Sequence, residues 1–291
     1  MYNVVCCNAK SINKVGIMNK KTLGPVSADL ITTLYERNKV IFTLLDIENI
    51  TGLPNSAARD LAHKLVQRDI ITRIKPGKFI IIPQELGRSS NYIGNWYVVA
   101  REIVKNPDYY ISYRSAMNIH NMLTHPLIKV YITTPMQEYI KKRTVGNATF
   151  EFIYMKKKFI WGIENKWVTR SEKVRVSNME RTVIDCLYHP KYSGGVLEVA
   201  KGIWTQRGKI DFIKLAKYAL KFDKIVVIKR LGYLLETMSL VEDDLLGKLK
   251  DKINKKYYIL DPLLDTDSTY KNSWKIIANI GPKEIKRSVE T

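Results

Sequence analysis

The chain has 291 residues, 45% of them hydrophobic, and its 48 Lys and Arg against 28 Asp and Glu give a net charge of +20. That length allows two domains with cores of their own, and the lack of an apolar run near the roughly 20 residues of a membrane span excludes a helical membrane protein. The cationic excess favours a polyanionic partner, since bound cations release counterions from phosphates. It is uneven: residues 1–90 carry 13 basic and 7 acidic side chains (+6), residues 91–240 carry 25 and 12 (+13), and the rest carry 10 and 9 (+1). The basic middle extends a DNA contact, meets an acidic or RNA-bearing partner, or reflects a Lys- and Ile-rich proteome that raises surface charge throughout.

Residues 1–24 read as a polar, basic leader ending in Gly24–Pro25, and its start lacks a signal-peptide pattern, so a cytoplasmic protein is expected. Cys6, Cys7 and Cys186 have no zinc spacing and read as reduced thiols; His63, His120, His125 and His189 are scattered. No metal or cofactor is expected. Val26–Asn38 reads as a helix with Ser27 as a possible N-cap and Leu30, Ile31, Leu34 and Tyr35 as its core stripe.

From Phe42, the residues Leu44, Leu45, Ile47, Ile50 and Leu53 form one helical face, and Gly52-Leu53-Pro54-Asn55 stops it. Asn55 or Ser56 caps a further helix to Arg68. Ala58, Leu61, Ala62 and Leu65 turn inward, leaving Ser56, Arg59, Asp60, His63, Lys64 and Gln67 outward. The period then becomes extended: Ile70–Ile74 and Phe79–Pro83 flank Lys75-Pro76-Gly77-Lys78, a hairpin in which Pro presets φ and Gly supplies positive φ. Residues 25–95 are thus predicted to be a winged helix-turn-helix. Its second helix would enter the major groove of double-stranded DNA, Arg59 and His63 reading bases, Ser56 contacting bases or phosphates, Asn55 and Lys64 holding phosphates, and Arg73, Lys75 and Lys78 gripping the flanking backbone.

Gln84–Asn95, with Ser89 and Ser90, reads as a connection, Trp96–Lys105 as a short helix, and residues 96–291 as an α+β domain with helices against a mostly antiparallel sheet. Ser112 caps a helix over Tyr113–Leu123. Lys129–Thr133, Thr149–Met155, Phe159–Trp161 and Trp167–Val176 read as extended. Helices are expected at Ser177–Tyr188, Gly195–Gln206, Asp211–Lys221 and Val226–Met238. Ser177 and Glu180 have capping-box spacing, and Arg181 and Asp185 are four apart, so the densest signature of this domain reads as architecture rather than catalysis.

Together these segments resemble the AbiEi-type antitoxins, transcriptional regulators of type IV toxin–antitoxin systems. The residues that carry the resemblance are the stretch Phe42–Pro83, Tyr110-Ile111-Ser112 before Ser115-Ala116, Val176–Asp185, Ser193-Gly194-Gly195, Lys229–Glu236, Leu260-Asp261-Pro262, Trp274 and Asn279. Relatives often place leucine-histidine-glycine where this chain has Ile119-His120-Asn121. The resemblance implies an N-terminal domain that represses its own operon by binding operator repeats. It implies a C-terminal domain that counters a nucleotidyltransferase-like toxin, without requiring a stable complex. Monomers binding neighbouring repeats, or a weak cooperative oligomer on DNA, fit a sequence with no long heptad. Two alternatives remain open: a metal-dependent nuclease using Glu164 and Lys166, and a winged-helix interaction scaffold with no DNA role.

Overall fold

Pro25 occupies the first turn of α1 (Pro25–Glu36), where a missing N–H costs nothing. The cap position falls on Gly24; Ser27, expected to cap, is instead buried inside the helix with Leu30, Ile31 and Leu34, while Tyr35 is exposed. Next comes β1 (Ile41–Thr43), a strand with no signal in the sequence, because three residues leading directly into a helical pattern show no period of their own. It is followed by α2 (Leu44–Thr51), which stops at Gly52 in the left-handed region (φ 69°), and α3 (Asn55–Gln67). β2 (Ile71–Lys75) turns through Pro76–Gly77 into β3 (Lys78–Ile81), and β3 also pairs antiparallel with β1, giving the order β1-β3-β2. Leu30, Leu34, Phe42, Ile47, Ala58, Leu65, Ile71 and Phe79 form the core beneath these helices and this sheet.

The computed structural model describes residues 21–87, 92–123, 129–137, 141–266 and 272–290. The leader through residue 20 with Cys6 and Cys7, the Ser89–Ser90 part of the connection, and His125 lie outside them. The chain divides into two compact units, one up to Tyr92 and one from Ile93. Among the described residues no helix is long and apolar enough to cross a membrane.

The second unit opens with α4 (Trp96–Ile103), capped by Asn95, whose side-chain oxygen accepts the Tyr97 and Val98 N–H groups. In chain order follow β4 (Tyr110–Ile111), α5 (Tyr113–Ile119), β5 (Lys129–Thr134), β6 (Lys142–Val145), β7 (Ala148–Tyr154), β8 (Ile163–Trp167) and β9 (Lys173–Ser177). The helical half comprises α6 (Met179–Tyr188), α7 (Val196–Thr205), α8 (Phe212–Phe222), α9 (Ile225–Thr237) and α10 (Asp243–Lys250), then β10 (Tyr258–Ile259), β11 (Ile276–Ile277) and α11 (Pro282–Glu290). The expected strand over Phe159–Trp161 is not formed; Lys157–Phe159 is a 3-10 turn whose ring anchors on Phe222. The stretch expected to be extended over Trp167–Val176 holds the last residue of β8, a turn and most of β9, and β9 pairs antiparallel with β8.

The fold is α+β. Its large sheet runs β6-β7-β5-β4-β9-β8, with β5–β7 and β4–β9 parallel and the other three pairings antiparallel. The segments that carry the family resemblance serve this packing. Lys229, fully buried in α9, donates to the Asn254 carbonyl (2.8 Å), the Asn254 side chain (2.9 Å) and the Lys256 carbonyl. Arg230 donates to the carbonyls of Leu187 (2.7 Å) and Ile259 (3.0 Å). Asp261 accepts the Val196 N–H at 2.6 Å, and Gly195 (φ 101°) leaves room for that carboxylate, which a Cβ would meet at 2.6 Å.

Candidate nucleic-acid interface

In the first unit, α2 is fixed by a reciprocal cap. Thr43 Oγ1 accepts the Asp46 N–H (3.3 Å), while Asp46 Oδ2 accepts the Thr43 N–H (2.7 Å) and hydroxyl (2.8 Å). Burial works against the Asp46 charge, but the Lys39 ammonium at 2.7 Å and the Thr43 donors outweigh it and hold the carboxyl below its ordinary range. After the Gly52 turn, α3 starts with no side-chain cap, so its first N–H groups form a patch of partial positive charge.

Neither Asn55 nor Ser56 acts as the N-cap; Pro54 occupies that position, because the helix already runs from Asn55. The Asn55 amide donates to Glu48, which ties α3 to α2 and removes that amide from the set of groups facing a phosphate. Ala58, Ala62 and Leu65 hold α3 on the core, and Leu61, expected inward, is only half-buried. Ser56, Arg59, His63 and Lys64 are exposed.

Between α3 and the β2–β3 hairpin lies a cleft of about 730 Å³. Arg59, Asp60 and His63 line it from the helix, Arg73 and Pro76–Gly77 from the hairpin, over an apolar floor that includes Leu44 and Phe79. Two of the predicted base-reading residues and one hairpin cation therefore surround one concavity. Ser56, Lys64, Lys75 and Lys78 do not line it. Lys75 and Lys78 face each other across the hairpin, half-buried, and each already interacts within the protein. Asp60, outward as its spacing predicts, follows Arg59 on the helix and brings a carboxylate into the cleft, an acceptor suited to the cytosine amino group.

In the second unit, Ser177 does not cap α6. Its register opposite Ile163 keeps it extended as the last residue of β9, and its hydroxyl bonds Thr182 Oγ1 at 2.7 Å. The cap is Asn178, whose Oδ1 accepts the Arg181 N–H at 3.0 Å. Glu180 reaches instead toward α8, accepting from Lys214 (2.8 Å) and the Asp211 N–H (3.3 Å). Arg181 and Asp185 do pair, at 2.8 Å, both fully buried, with the Tyr110 hydroxyl donating to Asp185 Oδ2 at 3.1 Å. Burial opposes the guanidinium charge, and the Asp185 carboxylate overcomes it and pushes Arg181 above the ordinary arginine value.

Glu164 lies on β8, a sheet-edge strand, and is exposed. Lys166, two residues along, donates to His120 Nδ1 at 3.0 Å, which makes the buried imidazole the Nε2–H tautomer donating to the Ser177 carbonyl at 2.7 Å. His120 is pushed below the ordinary histidine value, by burial first and by the Lys166 charge second. Asp108, the nearest upstream aspartate, pairs with Lys157 at 3.3 Å, and among the described residues no three His, Cys, Asp or Glu side chains gather as a cation site.

These features define an α+β protein of two units, the first carrying a basic helix-and-hairpin face. No family model matches the sequence, and no curated protein does. Among solved structures, the RV2827C protein from Mycobacterium tuberculosis is similar in fold, with a TM-score of 0.69 over 94% of this chain and 97% of that one, at 12% identity. At that identity the likeness carries the fold alone.

Proposed function

We propose that this chain is a sequence-specific DNA-binding autorepressor whose first unit is a winged helix-turn-helix, and that it serves as the antitoxin to a nucleotidyltransferase-like toxin. The observation that carries the DNA reading is the cleft flanked by Arg59 and His63 on α3 and by Arg73 on the hairpin. The element order α1-β1-α2-α3-β2-β3, with a three-stranded sheet closing on α3, is the arrangement in which the last helix enters a major groove and the hairpin straddles the adjacent backbone. Arg59 and His63 then reach base edges. Lys64 and Arg73, with the uncapped start of α3, hold phosphates. The net charge of +20 supplies the sequence-independent attraction. The antitoxin role rests on the sequence resemblance, whose second-unit residues lie in the packing of α6, α7 and α9.

The test is binding of purified protein to its own upstream DNA against random DNA of equal length, across a salt series. A preference of about a hundredfold or more with a steep salt slope supports the repressor; equal affinities overturn it. Co-expression with the neighbouring toxin gene tests the antitoxin role by growth rescue.

A further inference from the structure

The second unit carries a cationic, aromatic platform that the repressor reading does not use. Phe159 and Trp161 pack against Phe222, at 5.1 and 6.4 Å between ring centroids, and Trp161 meets Tyr218 edge-on at 4.9 Å. Phe159, Trp161 and Tyr218 remain half-buried at the surface. Ammonium groups lie over these rings: Lys158 at 5.1 Å and Lys224 at 5.3 Å from Phe159, and Lys221 at 4.5 Å from Trp161. Along α8, Lys214, Lys217 and Lys221 recur at helical spacing on one side. Lys214 is neutralised by Glu180 at 2.8 Å, whereas among the described residues Lys158, Lys217, Lys221 and Lys224 enter no ion pair. Asp223 is the single carboxylate in the run 212–224.

From this geometry we infer that the face formed by Lys158–Trp161 and α8 binds single-stranded nucleic acid. Unpaired lysines attract any polyanion, but a duplex backbone gains nothing from three surface rings, and an acidic peptide gains little. Unstacked bases gain a stacking partner, in a mode that tolerates any sequence because every base has a π-face. The strand's phosphates would draw the lysines off the rings while its bases replace them. This site is separate from the α3 face, so the inference does not rest on the repressor reading.

The experiment uses the full chain and fluorescein-labelled 12-nucleotide oligo(U) and oligo(dT), read by anisotropy across a salt series. The Lys158→Ala/Lys221→Ala/Lys224→Ala variant, checked for an unchanged circular dichroism melt, is expected to lose at least about tenfold in affinity. Its salt slope should fall by about 2, since each phosphate contact to a single strand contributes about 0.7. Trp161→Phe, which keeps a ring, is expected to bind but to lose most of the tryptophan quenching that the strand produces. Arg59→Ala/Arg73→Ala should cost less oligonucleotide affinity than the triple variant and more operator affinity, which separates failure of this site from failure of the repressor reading. Tighter binding of oligo(U) would identify RNA as the source, and tighter binding of oligo(dT) a displaced DNA strand. The inference is overturned if the triple variant keeps the parent affinity and slope, or if a duplex or polyglutamate of equal charge competes as well as the single strand.

Discussion

Asp185→Asn tests whether the buried pair in α6 is architecture. Asp185 Oδ1 accepts from Arg181 Nε (2.9 Å) and Nη2 (2.8 Å), and both side chains are fully buried. The guanidinium is clasped between Trp161 at 4.3 Å and Phe222 at 4.8 Å, and its Nη1 has no hydrogen-bond partner among the described residues. Asparagine preserves volume and leaves an oxygen to accept one of those bonds, but it removes the charge that makes a buried guanidinium tolerable. Breaking a buried pair from one side costs about 3–5 kcal/mol; the retained bond and ring contacts place this case near the lower end, at about 3 kcal/mol. Arg181→Met/Asp185→Leu removes both charges and leaves only the Tyr110 hydroxyl to lose a partner, about 1–3 kcal/mol, so the double variant should be more stable than Asp185→Asn. All five tryptophans lie at or beyond Trp96, so tryptophan fluorescence in a urea titration reads the second unit. A loss below about 1 kcal/mol for Asp185→Asn, or a double variant less stable than it, would refute the reasoning.

Gly232→Ala should destabilise the second unit by about 2 kcal/mol or more, read by the same titration. A Cβ there falls 2.1 Å from the buried Trp274 ring, whose indole N–H donates to Glu236 at 2.7 Å, and overpacking of about 1–3 kcal/mol plus a weakened bond exceeds the roughly 1 kcal/mol that alanine gains in a helix. Stability should also fall on acidification. His189 is pushed down to about 4, by burial first and then by Lys191 and Arg230, and His120 moves in the same direction. With folded values below the unfolded one near 6.5, the unfolded chain binds more protons, so this contribution is complete above about pH 6.5 and is lost as pH falls toward 4. A urea midpoint no lower at pH 5 than at pH 7.5 would contradict it. On DNA, Arg59→Ala should relax sequence preference at a cost of about 1–3 kcal/mol, while Lys64→Ala should weaken operator and random DNA alike; equal losses on both for Arg59→Ala would remove it from base readout.

Long periodic segments were legible without coordinates. The two helices around the Gly52 turn, the Pro76–Gly77 hairpin, and α7, α8 and α9 follow from apolar spacing and turn chemistry, which are local properties. The exposed polar side chains of α3 were legible for the same reason, since a helix that buries Ala58, Ala62 and Leu65 must present Arg59 and His63 on other sides. The Arg181–Asp185 pair was foreseen from its spacing, but not that it is fully buried beneath Trp161 and Phe222.

What the amino-acid order determined by itself was therefore the charge, the main helices, the hairpin and the residues that could touch a polyanion. Tertiary structure decided the rest, because it depends on partners remote in the chain. β1 exists through pairing with β3, and pairing with β8 keeps Ser177 extended and passes the cap to Asn178. Glu48 takes the Asn55 amide, and Lys166 turns to His120 rather than to Glu164. The platform on the second unit forms only when Phe159 and Trp161 fold against α8, since no local period links a 3-10 turn to a helix some fifty residues later.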